Sequence, residues 1–269
     1  MTPLDHFSAA LLPSGINLVG VISVAEWDAA APEVRQSKAV APGARSIIVV
    51  GNGGPRMWHA LGEAIDAERA ALVDQPHPVD AFARKQILAA GAAFAGMSPR
   101  WFWAAADATL HLDFRMLAQM AGFGTVGRLG LVMHPKYGSW LGLRSACFVD
   151  VELTPTRASG PHPCDGCDAP CITACPGGAF STGEWGVDAC SSFKAASTRC
   201  ASTCHARLAC PAGLDQRYPE QAITYHANRA EGRAALRERF SITSDRFDGV
   251  GPHWHDWRKR VDLNQDPKR

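Results

Sequence analysis

Several features are missing from this sequence, and each absence narrows the reading. No apolar run reaches the ~20 residues that a membrane-spanning helix needs. The start, MTPLDHFSAALLPSG, has neither a basic opening nor a long apolar stretch, so no secretory signal is expected and the chain reads as cytoplasmic. Net charge is nearly absent. The 27 Lys+Arg against 26 Asp+Glu leave a formal +1, which argues against a nucleic-acid surface built on global charge and leaves room only for a local basic patch. There is no low-complexity tract, and no internal repeat apart from two runs that end in Cys-Pro. The glycine-rich bend GNGG after the strand pattern at 46–50 fits neither GxGxxG nor GxxxxGK, so it reads as a plain turn or the lip of a pocket. A chain that is 46% hydrophobic and 20% charged over 269 residues is expected to fold, as one large domain or two ordinary ones.

What the sequence has is cysteine, concentrated in one stretch. Eight of the nine cysteines lie between positions 164 and 210: Cys164, Cys167, Cys171, Cys175, Cys190, Cys200, Cys204 and Cys210. Cys175 and Cys210 are each followed by proline. Close thiols that end on Cys-Pro are the bacterial-ferredoxin pattern for a 4Fe–4S cubane, in which the Cys-Pro thiol of one run ligates the cluster of the other. Eight thiols with two such ends suit two cubanes. Three other readings compete. A disulfide framework conflicts with a reducing compartment. Structural zinc needs only four ligands and favours separated CxxC pairs with histidine. A single or degenerate cluster stays open, because the gaps here (two, three and three residues, then three and five) are stretched beyond the usual two, two and three.

Along the chain, 4–12 has helical periodicity and is stopped by Pro13 and Gly15, and 16–24 is a β-branched strand. A weaker helix is expected over 27–38, a buried strand over 46–50, and helices over 57–73 and 80–94, the second capped by Asp80. Trp58, Leu61, Ile65 and Leu72 point inward on the first of these helices, and Phe82, Ile87, Leu88 and Phe94 on the second. The aromatic group Trp101, Phe102 and Trp103 reads as core before cofactor box. A helix over 113–121 runs into Gly122, Gly124 and Gly127, glycines that permit close backbone approach or positive φ. Strands follow at 129–133 and 147–151, with Cys147 a packed free thiol. The Pro/Gly/Ser-rich stretch 154–163 is a linker, and 217–239 is a charged helix. In the tail, His253 and His255 flank Trp254 and read as a solvated or interface segment before a metal site.

The order APGARSIIVV, AGFGTVGRLGLV, GSWLGLRSACFVDVEL and then a Cys-Pro run resembles the epoxyqueuosine reductases over roughly residues 16–215. It also resembles the reductive dehalogenases and, more loosely, cobalamin-processing proteins. The resemblance implies an α+β fold: a nitroreductase-like, corrinoid-binding domain over 1–158, then a ferredoxin-like 4Fe–4S domain with a helical C-terminal tail over 159–269. It implies two 4Fe–4S clusters and cobalamin as cofactors. Cys164, Cys167, Cys171 and Cys210 would hold one cluster, and Cys175, Cys190, Cys200 and Cys204 the other. Gly122, Gly124, Gly127, Arg128, Gly138 and Ser139 match the cofactor-binding glycine segment and the GSW turn, with arginine in place of the family's lysine. The implied function is an oxidoreductase passing single electrons from the clusters to cobalamin cobalt. The reductant would be an external donor of flavodoxin or ferredoxin type, and the substrate a small molecule or modified nucleoside. At the family's acidic general acid this sequence has Ala108, so Asp107, Asp113 and His111 are the candidate proton donors. No counterpart of the family's C-terminal helical repeats is expected in this sequence, which weakens a tRNA substrate. Two further readings are a cobalamin-processing or trafficking protein that reduces or dealkylates the corrinoid, and a ferredoxin-like electron-transfer protein.

Overall fold

The computed structural model describes residues 1–67, 78–104, 112–157, 160–181, 185–200 and 202–227. Its centre is a four-stranded antiparallel sheet in the order β1-β2-β6-β3, made of β1 (Leu18–Ser23), β2 (Ser46–Gly53), β6 (Leu141–Val149) and β3 (Arg100–Trp103). A two-stranded hairpin pairs β4 (Thr125–Val126) with β5 (Val132–Met133).

Strand β2 explains why SIIVV is apolar without alternation. Neighbouring side chains of a strand point to opposite faces, and here both faces are covered. Ile48 and Val50 join Val21, Cys147 and Val149 in one core with Phe7, Trp58, Phe82, Phe94 and Trp140. Ile47 and Val49 join Ile22, Ala146 and Phe148 in a second core with Trp27, Leu117 and Phe123. The first core is roofed by α1 (Pro3–Leu11), α4 (Arg56–Ala67) and α5 (Pro78–Ala90), the second by α2 (Val24–Ala30), α3 (Ser37–Val40) and α6 (Phe114–Met120). Each fully buried Ile or Val contributes roughly 1.5–3 kcal/mol.

Several boundaries differ from the sequence expectation. The glycines of GNGG do not turn after β2: Gly51, Asn52 and Gly53 continue the strand past a bulge at Val50/Gly51, and the bend waits for Gly54 at φ 75°. Pro32 splits the 27–38 helix into α2, a 3-10 turn and α3. Helix α5 starts at Pro78, because proline at the first helical position needs no N–H partner. Asp80 therefore sits in its first turn rather than capping it, and Leu88 is 44% exposed. The strand expected at 129–133 shrinks to Val132–Met133, since Gly130 turns at φ 67°. Strand β6 begins six residues before Cys147. Leu72 lies outside the described residues, as do His253, Trp254 and His255. Helix α10 (Glu220–Ala227), placed by sequence in the second domain, packs on the first core through Ala222 and Tyr225, together with Tyr218 just before it.

Candidate iron–sulfur centre

The thiol region is built from turns and short helices: α7 (Pro170–Thr173), α8 (Val187–Ala196) and α9 (His205–Ala209). Each positions cysteines at its ends or on its first turns. Cys164 and Cys167 share a turn, with Cys167 N–H donating to the Cys164 carbonyl at 3.3 Å and Cys164 N–H donating to the His162 ring at 3.1 Å. Ala169 takes left-handed φ 54°, rare for a residue with a Cβ, and so turns its N–H toward Cys167 Sγ at 3.4 Å. Pro170 then opens α7, which carries Cys171. Cys175 Sγ accepts from Ala179 N–H at 3.4 Å. Cys190 lies on α8, Cys200 ends a 3-10 turn, Cys204 is the N-cap of α9 and Cys210 its C-cap. All nine cysteines are free thiols, so no disulfide joins them.

Electrostatic neighbourhood sorts the eight into two foursomes. Burial first, then the charges of Cys210, Cys164 and Cys167, push the Cys171 thiol up. Burial pushes Cys210 up as well, helped by Cys164 and Cys167. Cys190 is pushed up by burial and then Cys204, with a smaller part from Cys175. Cys200 is pushed up by burial, then Cys204, Cys175 and Cys190. The strongest thiol–thiol interactions thus join Cys164, Cys167, Cys171 and Cys210 in one set, and Cys175, Cys190, Cys200 and Cys204 in the other. Each Cys-Pro cysteine sits with the other run, the crossing seen in two-cluster ferredoxins. The first set is the inner one, with Cys171 and Cys210 buried; in the second, Cys204 is exposed. Among the described residues no three His, Cys, Asp or Glu side chains gather as a single metal ion requires. A cubane spreads its four thiolates more widely, one per iron. Backbone N–H groups aimed at sulfur are a further feature suited to cluster thiolates.

The glycine segment shows the positive φ and close backbone approach expected of it. A Cβ at Gly124 (φ 129°) would lie 2.0 Å from the Met133 carbonyl oxygen. At Gly127 it would lie 2.5 Å from Met133 Cγ and 2.9 Å from Cys164 Sγ, and at Gly138 (φ 56°) 2.1 Å from the Ala212 carbonyl oxygen. These glycines are needed for the chain to approach itself, and two of them bring the front region against the thiol region. Gly122 turns the chain out of α6 at φ 81°, and Arg128 is exposed. Ser139 is buried and engaged by Arg207, whose Nη2 donates to its carbonyl at 2.7 Å and Nε to its Oγ at 3.4 Å. Of the candidate proton donors, Asp113 caps α6 by accepting from Arg115 and Met116 N–H at 3.0 and 3.1 Å, while Asp107 and His111 lie outside the described residues. Cys147 is fully buried in β6, and burial pushes its pKa up to about 12, as a packed thiol requires.

Sequence reasoning missed the polar seam between the two regions. Arg207 stacks on Trp140 at 4.4 Å and on Tyr218 at 5.4 Å. Nearby, buried Arg144 donates to Asn52 Oδ1 at 2.8 Å and lies 3.6 Å from Asp80. An isolated arginine in the middle of CHARLAC was the available signal.

No protein-family model matches the sequence, and neither does any curated protein. Solved structures do match in fold. An epoxyqueuosine reductase of Bacillus subtilis, seen with its catalytic aspartate loop swung out of the active site, shares 16% identity at a TM-score of 0.56 over 98% of this chain and 86% of that one. Another epoxyqueuosine reductase, solved with an epoxyqueuosine-modified tRNA stem loop, shares 15% at 0.56 over 88% and 75%. CblC, a B12-trafficking protein of C. elegans, shares 13% at 0.54 over 93% and 97%. The chain therefore has the fold of the epoxyqueuosine reductases, a fold it also shares with a B12-trafficking protein.

Proposed function

We propose that this protein is an iron–sulfur oxidoreductase of epoxyqueuosine-reductase type, with a nitroreductase-like front domain over 1–158 and a ferredoxin-like domain after it. One observation carries the reading: eight free thiols in two foursomes, each completed by the Cys-Pro cysteine of the opposite run. The thiols fit 4Fe–4S cubanes in number and grouping, and Cys167 and Cys175 accept N–H donors. Cys175, Cys190, Cys200 and Cys204, the more exposed set, would take single electrons from an external flavodoxin- or ferredoxin-type donor. Cys164, Cys167, Cys171 and Cys210 would pass them inward, because this set lies against Gly127 and Met133 of the front region.

A corrinoid, when bound, supplies redox chemistry that no side chain offers. Fold likeness to a B12-trafficking protein supports cobalamin as the acceptor. Gly124, Gly127 and Gly138 approach the chain's own atoms on their Cβ side, and with Gly122, Arg128 and Ser139 they remain the proposed cofactor-binding segment. With Asp113 engaged as a helix cap, Asp107 and His111 are the proposed proton donors. The substrate class is a small molecule or modified nucleoside, and the cytoplasm the proposed compartment. Among the described residues no helix is long and apolar enough to cross a membrane. The same likeness to CblC, over 97% of that chain, favours cobalamin processing as the second reading.

Anaerobic purification followed by iron and acid-labile sulfide analysis tests the proposal. About eight of each per chain is expected. Zinc in the thiols, or iron-free protein from oxygen-free preparation, overturns it. Titration with hydroxocobalamin, read by a shift in the corrinoid spectrum, then tests the acceptor.

A further inference from the structure

The guanidinium of part-buried Arg207 is held in an unusual way. Its partners are all neutral: the Ser139 carbonyl at 2.7 Å, the Ser139 hydroxyl at 3.4 Å and the rings of Trp140 and Tyr218. Among the described residues no carboxylate pairs with it. Removing a cation from water with no anion nearby is unfavourable, and burial accordingly lowers its pKa, opposed by Tyr218, Cys204 and Cys210. Arginine keeps its proton regardless, so the charge stays and calls for a counter-charge.

Position supplies one. Arg207 is the middle residue of α9, three residues after Cys204 and three before Cys210. Those two cysteines belong to different foursomes, so α9 is the segment that joins them. A cubane with four thiolates is net negative, and one unit more negative after accepting an electron. A fixed cation beside it therefore favours the reduced form. The clamp on Ser139 and Trp140 also fixes this cation to the front region, so its distance from both sets is set by packing rather than by a free side chain.

Resting on the two-cluster reading above, we propose that Arg207 is the shared counter-charge of both clusters: a positioning residue, held by Ser139, Trp140 and Tyr218, that raises both reduction potentials together. Lys194 and Arg217 make the contrast. The charge of Lys194 acts on Cys190 and Cys200 of the outer set. The Arg217 guanidinium donates to the Leu208 carbonyl and acts on Cys210 of the inner set, whereas Arg207 faces Cys204 and Cys210, one from each.

The test is a redox titration of anaerobic holoprotein poised with dithionite and followed by EPR, after iron has been counted. In Arg207→Gln both midpoints should move to more negative values. On the order of a tenfold fall in the reduced-to-oxidised ratio at the wild-type midpoint is expected, equal to 59 mV for a one-electron couple. Arg207→Lys, which keeps the charge, should hold both midpoints near wild type, and Arg217→Gln should move the inner one alone. Wild-type iron with both midpoints unmoved in Arg207→Gln, or with one moved, overturns the proposal and leaves the two-cluster reading standing. If Arg207→Gln holds no iron, Arg207→Lys decides: full iron with wild-type midpoints supports the charge role, and loss of iron from that folded variant overturns it. Wild-type protein without iron removes the two-cluster reading and this inference with it.

Discussion

The front region and the thiol region are held together by different physics. Around the sheet, β2 is buried along its whole length and two apolar cores press on its faces. From Cys164 to Cys210, the helices run 4, 10 and 5 residues, lengths at which helices are marginal without tertiary support. The core there is small: Leu129, Met133, Ala169, Cys171, Ala179, Phe180, Ala206 and Cys210, of which two are thiols and two are borrowed from the front region. A segment that buries so little apolar surface needs another source of stability, and with its cysteines unpaired in disulfides, metal–ligand bonds would be one. The contrast sets a sheet held by apolar burial against a thiol-bearing segment, beginning fifteen residues after β6, whose stability would come from the proposed clusters.

The largest expected effect follows from stripping iron with chelator under mild oxidation. Hydrogen exchange should then show amides of 164–210 losing protection while those of β1, β2 and β6 keep theirs. Equal loss in both regions would erase the distinction. Next in size, Cys171→Ala removes a proposed ligand of the inner set alone, and on the two-cluster reading iron should fall from about eight to about four per chain. A fall to none would mean that the clusters assemble as one unit.

Smaller effects probe the front region and the seam. Gly124→Ala combines a left-handed φ of 129° with a Cβ 2.0 Å from the Met133 carbonyl. It should destabilise the β4–β5 hairpin by roughly 2–3 kcal/mol in denaturant melts. Least of all, the buried Cys147 thiol should register at alkaline pH. Its pKa is about 12 when folded against an ordinary 9.0, so between those values the unfolded chain loses a proton that the folded chain keeps. The folded state binds more protons there, and stability falls as pH rises through the window. Cys147→Ala should flatten that fall in thermal melts at pH 9 to 11.

The legibility of the sequence followed the same division. In the front region, periodicity read α1, β1 and most of β2 well, because core packing there obeys local pattern. It misplaced the ends of β2 and β6 and the start of α5, where a bulge, cross-strand pairing and Pro78 set the boundaries. In the thiol region, residue type alone pointed to metal, while helix lengths there carry little periodic signal. The glycines were recognised as sites of close approach, but what they approach, Met133, Cys164 and Ala212, is distant or unpatterned in sequence.

What the amino-acid order determined by itself is chemical inventory: which strand is buried on both faces, which thiols are available, and that two runs end in Cys-Pro. Those depend on residue identity and spacing, which are local quantities. Only the tertiary structure decided that Arg207 stacks on Trp140 and Tyr218, that Tyr218 and α10 return to the first core, and that Gly127 touches Cys164. These are contacts between segments far apart along the chain, and burial and charge act across the space that folding closes.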